Sequence, residues 1–77
     1  MVMNMSNKSN GRYIIWAISP TGRIIPQKYF ANERPKIVID EAKRISEICK
    51  YKVVAMQLDK EGDPIDLLWE SPDLEER

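Results

Sequence analysis

Residues 12–30 read RYIIWAISPTGRIIPQKYF, two apolar segments separated by a short turn. The first segment, 12–19, is rich in β-branched and aromatic residues and too short for a stable helix, so it indicates a β-strand. A proline presets the backbone of the turn that follows, and Gly22 accepts a positive φ near its end. Residues 23–30 are then the return strand. Pro26 cannot donate a ladder hydrogen bond, so this strand of the hairpin belongs at a sheet edge.

A second strand–turn–strand pattern follows forty residues later. Residues 52–58 (KVVAMQL) and 65–70 (IDLLWE) are predicted strands, and the turn between them contains Gly62. Strict alternation would place three apolar residues of the last strand on one face: Ile65, Leu67 and Trp69. Gly22 and Gly62 occupy matching positions in the two halves, which supports two hairpins of similar length and is not evidence of duplication.

The segment between the hairpins has helical periodicity. Its apolar residues recur at intervals of three and four: Val38, Ala42, Ile45 and Cys49. Ile37 and Ile48 are expected to widen this stripe, and charged residues fill the opposite side. Asn32 is a preferred N-cap residue and Pro35 is tolerated in a first turn, so the helix is expected to begin near Asn32. The β-branched cluster 37–39 leaves a later start open.

These elements predict an α+β domain of the type ββαββ. We expect a four-stranded antiparallel sheet of order 2-1-3-4, with the single helix packed on one face. The domain should span residues 12–70. Residues 1–11 are polar and aperiodic, which predicts a disordered leader, and residues 71–77 are expected to form a frayed acidic tail.

The composition argues against several kinds of functional site. The chain has no histidine and one cysteine, Cys49, so it lacks the commonest general base and zinc ligand and cannot form an internal disulfide. It has no glycine-rich phosphate loop, and the acidic turn at 59–63 lacks the spacing of a calcium loop. We therefore expect no catalysis, cofactor, metal, small-molecule ligand or membrane insertion. A lone cysteine without a secretion signal favours the cytoplasm.

Charge is divided unevenly along the chain, although the net charge is zero. Through Leu58 there are ten basic and four acidic residues, and from Asp59 onward two basic and eight acidic ones. The two parts can pair with each other in the fold, or they can indicate an electrostatic partner. The acidic tail could also compete with a ligand for the basic half.

The two inner strands of this sheet are apolar on both sides. In the first, Tyr13 and Ile15 alternate with Ile14 and Trp16, and residues 53–58 show the same pattern. An antiparallel sheet with one wet face should alternate apolar with polar residues, and one helix covers only one face. The second face therefore predicts a partner: a second copy of the chain, another protein or nucleic acid. The chain's own turns and ends could instead cover it, or it could remain a wet patch.

A basic and aromatic first hairpin supplies the candidate partner-binding residues. They are Arg12, Tyr13, Trp16, Arg23, Lys28, Tyr29 and Phe30, and the segment 12–30 has no acidic residue. The leading hypothesis is a non-catalytic protein-interaction or regulatory module that forms a homodimer through the sheet face opposite the helix, or through a sheet edge. The alternative is single-stranded RNA or DNA, bound by aromatic stacking and by phosphate contacts to the basic side chains.

Overall fold

The computed structural model describes residues 10–72 and contains four strands and one helix. In chain order these are β1 (Gly11–Ile18), β2 (Ile24–Glu33), α1 (Pro35–Ile48), β3 (Lys52–Leu58) and β4 (Pro64–Glu70). All strand pairs are antiparallel and the order is β2-β1-β3-β4. The predicted ββαββ architecture is confirmed, with the proline-containing strand at an edge.

The two hairpin turns have the same backbone geometry. In turn 1 (residues 19–23), the Gly22 N–H donates to the Ser19 carbonyl at 2.9 Å. In turn 2 (residues 59–63), the Gly62 N–H donates to the Asp59 carbonyl at 3.0 Å. The two glycines have φ values of +90° and +91°, a region that L side chains rarely adopt. This is the three-residue hairpin loop in which a type I turn is followed by a left-handed residue.

Helix α1 begins later than Asn32, which is the alternative that the β-branched cluster 37–39 left open. Asn32 lies in β2, because the strand continues until Glu33 pairs with Gly11 at the start of β1. The N-cap of the helix is Arg34, which makes no side-chain capping bond, and Pro35 is the first helical residue. Ladder pairing with a long first strand therefore outweighs the N-cap preference of asparagine, which is a local effect of about 1 kcal/mol.

Strand β4 does not alternate as the sequence predicts. Trp69 lies opposite Ala55, whereas Leu67 lies opposite the next residue of β3, Met56. The extra residue, Leu68, forms a bulge, and a one-residue shift sends the following side chain to the other face. The expectation that Leu67 and Trp69 share a face is therefore wrong.

Helix α1 covers one face of the sheet, here called the helix face. Val38 and Ala42 are completely buried and pack with Ile15 and Val53 in one core cluster. Ile45 and Cys49 lie at its margin, as predicted from the stripe, although Cys49 is the C-cap residue. Ile37 and Ile48 do not widen the stripe: they are 45% and 79% exposed. The core-facing side of the helix is narrower than the sequence predicts.

The end of β4 is fixed by a buried serine. The Ser71 N–H donates to the Val53 carbonyl at 2.8 Å, and the Val53 N–H donates to the Ser71 hydroxyl at 3.0 Å. Ser71 is 6% exposed, so the predicted frayed tail does not begin at this residue. At the other terminus, Gly11 belongs to β1 rather than to the leader. The remainder of the predicted leader, 1–9, and of the tail, 73–77, lies outside the described residues.

We expect Ser71→Ala to lower the free energy of unfolding by about 1–3 kcal/mol, because the buried Val53 N–H loses its acceptor. Chemical denaturation measures the change. The matched control is Ser46→Ala, which removes an exposed hydroxyl that bonds only to the Lys43 carbonyl of its own helix. That variant should stay within about 0.5 kcal/mol of the parent. Equal losses in both variants would argue against a structural role for the Ser71 hydroxyl.

Candidate functional site on the open sheet face

The sheet face opposite α1, here called the far face, is predominantly apolar. Its members follow from the pairing register and from the alternation of side chains along each strand. The apolar side chains assigned to it are Ile14, Trp16, Ile18, Ile24, Pro26, Tyr29, Val54, Met56, Leu58 and Leu67. The inner strands therefore carry apolar residues on both sides, as the sequence indicates.

Several of these side chains are exposed to solvent. Tyr29 is 53% exposed, Ile24 51% and Leu67 48%. Trp16 in the centre is half-buried, whereas Val54 beside it is buried by its neighbours in the sheet. Nothing within residues 10–72 shields the face as α1 shields the other one. The described turns do not cover the far face either. Cover by the chain's own turns, which the sequence left open, is therefore absent from residues 10–72.

Polar groups at the margin of the far face are partly engaged within the chain. The Arg12 guanidinium donates to the Lys60 carbonyl in turn 2 at 2.8 Å. The Lys52 ammonium lies 3.7 Å from the Glu70 carboxylate, an ion pair that joins the basic and acidic parts of the sequence. Arg23 is exposed at the end of turn 1. The far face thus has an apolar centre and a charged margin.

The seven candidate partner-binding residues do not form one surface. The register assigns Arg12, Trp16 and Tyr29 to the far face, and Arg23 lies at its corner in turn 1. The other three belong to the opposite side: Tyr13, Lys28 and Phe30. Tyr13 is only 3% exposed and is part of the core. The period of two along a strand separates residues that are neighbours in sequence.

On the helix face, Lys28 joins β2 to the helix. Its ammonium lies 3.7 Å from the Glu41 carboxylate and 5.4 Å from the centre of the Phe30 ring. The Arg44 guanidinium donates two hydrogen bonds to Glu41, at 3.0 and 3.3 Å. These bonds, together with the charges of Arg44 and Lys28, lower the pKa of Glu41. Burial raises the pKa of the Tyr13 phenol on the same face.

The described residues also locate the other polar candidates. Asp59 holds turn 2 together, since its carboxylate accepts hydrogen bonds from the Glu61 and Asp63 N–H groups, both at 2.9 Å. Among residues 10–72, no three acidic or cysteine side chains cluster closely enough to hold a metal ion. Cys49 is half-buried against the core margin. An open depression beside turn 2 is lined by Arg12, Leu58 and Ile65 among others.

Sequence reasoning missed Ile24 and Leu67 as candidate contact residues. Ile24 follows a turn directly, and its pairing with Ile18 is what assigns it to the far face. Strict alternation places Leu67 on the same face as Trp69, because the bulge at Leu68 has no clear signature in the sequence. Both are exposed apolar residues of edge strands, and their place on the far face follows only from the pairing register.

No protein-family model, curated protein or solved structure matches this chain. Within residues 10–72 no helix is long and apolar enough to cross a membrane. The far face and its charged margin are therefore the features of the described residues from which a function is proposed.

We expect Glu41→Gln to reduce stability in a pH-dependent way. Because the folded-state pKa of Glu41 is lowered, its carboxylate stabilises the fold above the unfolded-state pKa, and this contribution is lost as the pH falls through the folded-state value. The difference in unfolding free energy between parent and variant should therefore be largest near neutral pH and shrink in acid. Urea denaturation between pH 2 and pH 7 measures it.

The control for this titration is Glu47→Gln, which neutralises an exposed carboxylate on the same helix. Its difference from the parent should vary less with pH than that of Glu41→Gln. If both variants follow the same pH profile, the contacts of Glu41 with Lys28 and Arg44 do not stabilise the fold.

Proposed function

We propose that this protein is a small non-catalytic interaction or regulatory module that self-associates through the far face. The observation that carries the proposal is the open apolar surface on a sheet whose other side is already covered by α1. Large apolar side chains such as Tyr29, Ile24 and Leu67 are about half exposed there. Contiguous apolar patches of this kind mark interaction surfaces.

The dimensions of the face favour a dimer of moderate affinity. Four strands about 4.8 Å apart and about seven residues long give a plane of roughly 19 by 23 Å. Standard stable interfaces bury about 800 Å² of accessible surface per partner. The flat area of this plane is smaller, although the side chains that project from it add accessible surface. We therefore expect dissociation constants in the micromolar rather than the nanomolar range. Two such faces would pack about 10 Å apart as a sandwich.

Charge favours a second copy of the chain over a polyanion. The net charge is zero, so two copies do not repel each other as a whole. Two of the basic candidates also have partners within the chain, Arg12 at the Lys60 carbonyl and Lys28 at Glu41. The absence of histidine and the single cysteine in the sequence support a non-catalytic role. That lone cysteine also supports the proposal of a cytoplasmic location.

Leu67→Lys should abolish or strongly weaken self-association. Leu67 is already 48% exposed in the single chain, so the substitution costs the monomer little but buries a charge in the proposed interface. Sedimentation velocity across a concentration series, from about 1 to 500 μM to bracket the expected affinity, measures the monomer–dimer equilibrium. We expect the dissociation constant to rise at least about tenfold, equivalent to 1.4 kcal/mol.

The matched control is Ile48→Lys, which makes the same change at an exposed apolar residue of α1, outside the far face. It should leave the dimer unchanged. The proposal of self-association through the far face fails if the parent protein stays monomeric throughout the series. It also fails if the two substitutions have equal effects.

Single-stranded nucleic acid is a second candidate function. It is favoured by two aromatic residues on the open face, Trp16 and Tyr29, and by the exposed Arg23 at its corner. Aromatic stacking on a sheet contributes about 1–3 kcal/mol per base and tolerates many sequences. The engaged Arg12 and Lys28 leave fewer free charges for the phosphates than the sequence suggests.

Fluorescence anisotropy of labelled mixed-sequence oligonucleotides at about 50 mM salt tests this candidate, since phosphate contacts weaken steeply with salt. If it holds, Arg23→Ala should weaken binding by about 1 kcal/mol or less at this exposed site, and more at low salt than at high salt. Lys43→Ala, on the exposed side of α1, is the control and should change nothing. Absence of binding at low salt removes the candidate.

A further inference from the structure

The proposed self-association leaves open how the two far faces are oriented, and the structure favours one arrangement. We propose that the copies meet about a two-fold axis parallel to the strands, so that β2 of one protomer covers β4 of its partner and Tyr29 packs on Leu67 of the partner subunit. This inference rests on the proposed dimer and specifies its geometry.

The sheet has an approximate two-fold axis perpendicular to its plane. Pairing between β1 and β3 is symmetric about Ile15 and Ala55: Arg12 pairs with Leu58, and Ile18 pairs with Lys52. The two turns have the same hydrogen bonds and lie at opposite ends of the sheet. Because of this internal symmetry, a dimer axis parallel to the strands and one perpendicular to them, within the interface plane, give sandwiches of similar outline. Side-chain chemistry must therefore select between them.

Four apolar residues form one row across the far face, in the order Tyr29, Ile14, Met56 and Leu67. A two-fold axis parallel to the strands keeps this row level and exchanges its ends. Tyr29, which is 53% exposed, then covers the partner's Leu67, which is 48% exposed, and the two-fold axis makes this contact occur twice. The two most accessible side chains of the row shield each other.

The perpendicular axis exchanges this row with the next one, which runs from Pro26 through Trp16 and Val54 to Glu70. Leu67 would then lie on the partner's Glu70, and an apolar side chain would desolvate a carboxylate. Tyr29 would lie on the partner's Pro26. The perpendicular arrangement therefore leaves the exposed Leu67 of β4 without an apolar partner.

Charges on the two edge strands favour the same arrangement. The register places Arg23 at the corner of the far face beside β2 and Glu70 on the far face of β4, whereas Lys28 and Asp66 lie on the helix side. An axis parallel to the strands brings Arg23 to the edge that holds the partner's Glu70. A perpendicular axis places Glu70 at the same edge as the partner's Glu70, where the two carboxylates repel each other. Apolar and electrostatic matching therefore agree.

The experiment mixes two charged variants that each oppose homodimer formation. Leu67→Lys and Tyr29→Glu are purified separately, labelled with a donor and an acceptor dye, and combined in equal amounts at low salt. In the parallel arrangement the new glutamate of one chain faces the new lysine of the other, and the native Tyr29–Leu67 contact is retained on the second side. We expect the heterodimer to form at least about tenfold more tightly than either variant's homodimer.

The control mixture combines Leu67→Lys with Ile24→Glu. Ile24 is 51% exposed on the same edge strand but pairs with Ile18, four residues further along β1 than the Ile14 of the row. At about 3.3 Å per residue, its substituent would lie about 13 Å from the partner's position 67. We expect much less rescue from this mixture. The rescue by Tyr29→Glu should also diminish as salt is raised.

The outcomes separate the orientation from the self-association on which it rests. If Leu67→Lys alone leaves the parent dimer intact, the far face is not the interface and both proposals fail. If Leu67→Lys disrupts the dimer but Tyr29→Glu does not rescue it, or rescues it no better than Ile24→Glu does, the parallel orientation is overturned and the far-face dimer stands. Thermal unfolding of each variant alone verifies that the monomers remain folded.

Discussion

Antiparallel pairing between β1 and β3 is the interaction on which the rest of this structure depends. It joins two hairpins that would each be only marginally stable in water as an isolated pair of strands. It also brings Ile15 and Ala55 together beneath the helix, where both are completely buried. Without this pairing, α1 would have no continuous surface on which to bury Val38 and Ala42.

The same pairing creates the exposed far face. Every residue that points toward α1 has neighbours in its strand that point away, so the strongly apolar inner strands cannot direct all their apolar side chains into one core. A single helix of 14 residues covers one side only. The apolar character of the far face is thus a direct consequence of inner strands built for burial on both sides, a composition typical of sheets sandwiched between two layers.

The bulges determine which side chains this face presents. Ladder irregularities occur in both hairpins, between Ile15 and Trp16 in β1 and between Ala55 and Met56 in β3. These two lie at matching positions, but a further irregularity between Gln57 and Leu58 has no counterpart between Ala17 and Ile18. It shifts β4 by one residue relative to β2, so that Trp69 packs toward the helix, whereas Tyr29, forty positions earlier, is exposed on the far face. The inner strands and turns keep an approximate two-fold symmetry, while the edges differ in charge and in apolar content. That difference is the basis of the orientation proposed for two copies of the chain.

The sequence by itself determined the element order, the strand order and the turns, because these depend on local signals. Gly22 and Gly62 specify left-handed backbone positions, Pro26 excludes β2 from the middle of the sheet, and the spacing from Val38 to Ala42 identifies the buried side of the helix. The apolar pattern of the inner strands also predicted that one helix would leave an apolar face of the sheet uncovered. These features need no knowledge of partners distant in the chain.

Only the tertiary structure decided where β2 ends, which face Leu67 occupies and which candidate residues share a surface. Each of these depends on register, and a ladder between strands distant in sequence sets the register through many weak hydrogen bonds and packing contacts. Pairing of Glu33 with Gly11 keeps Asn32 in a strand despite its preference for a helix cap. The bulge at Leu68 places Leu67 and Trp69 on opposite faces of the sheet. Ser71 is buried for the same reason, since its hydroxyl completes the ladder at Val53.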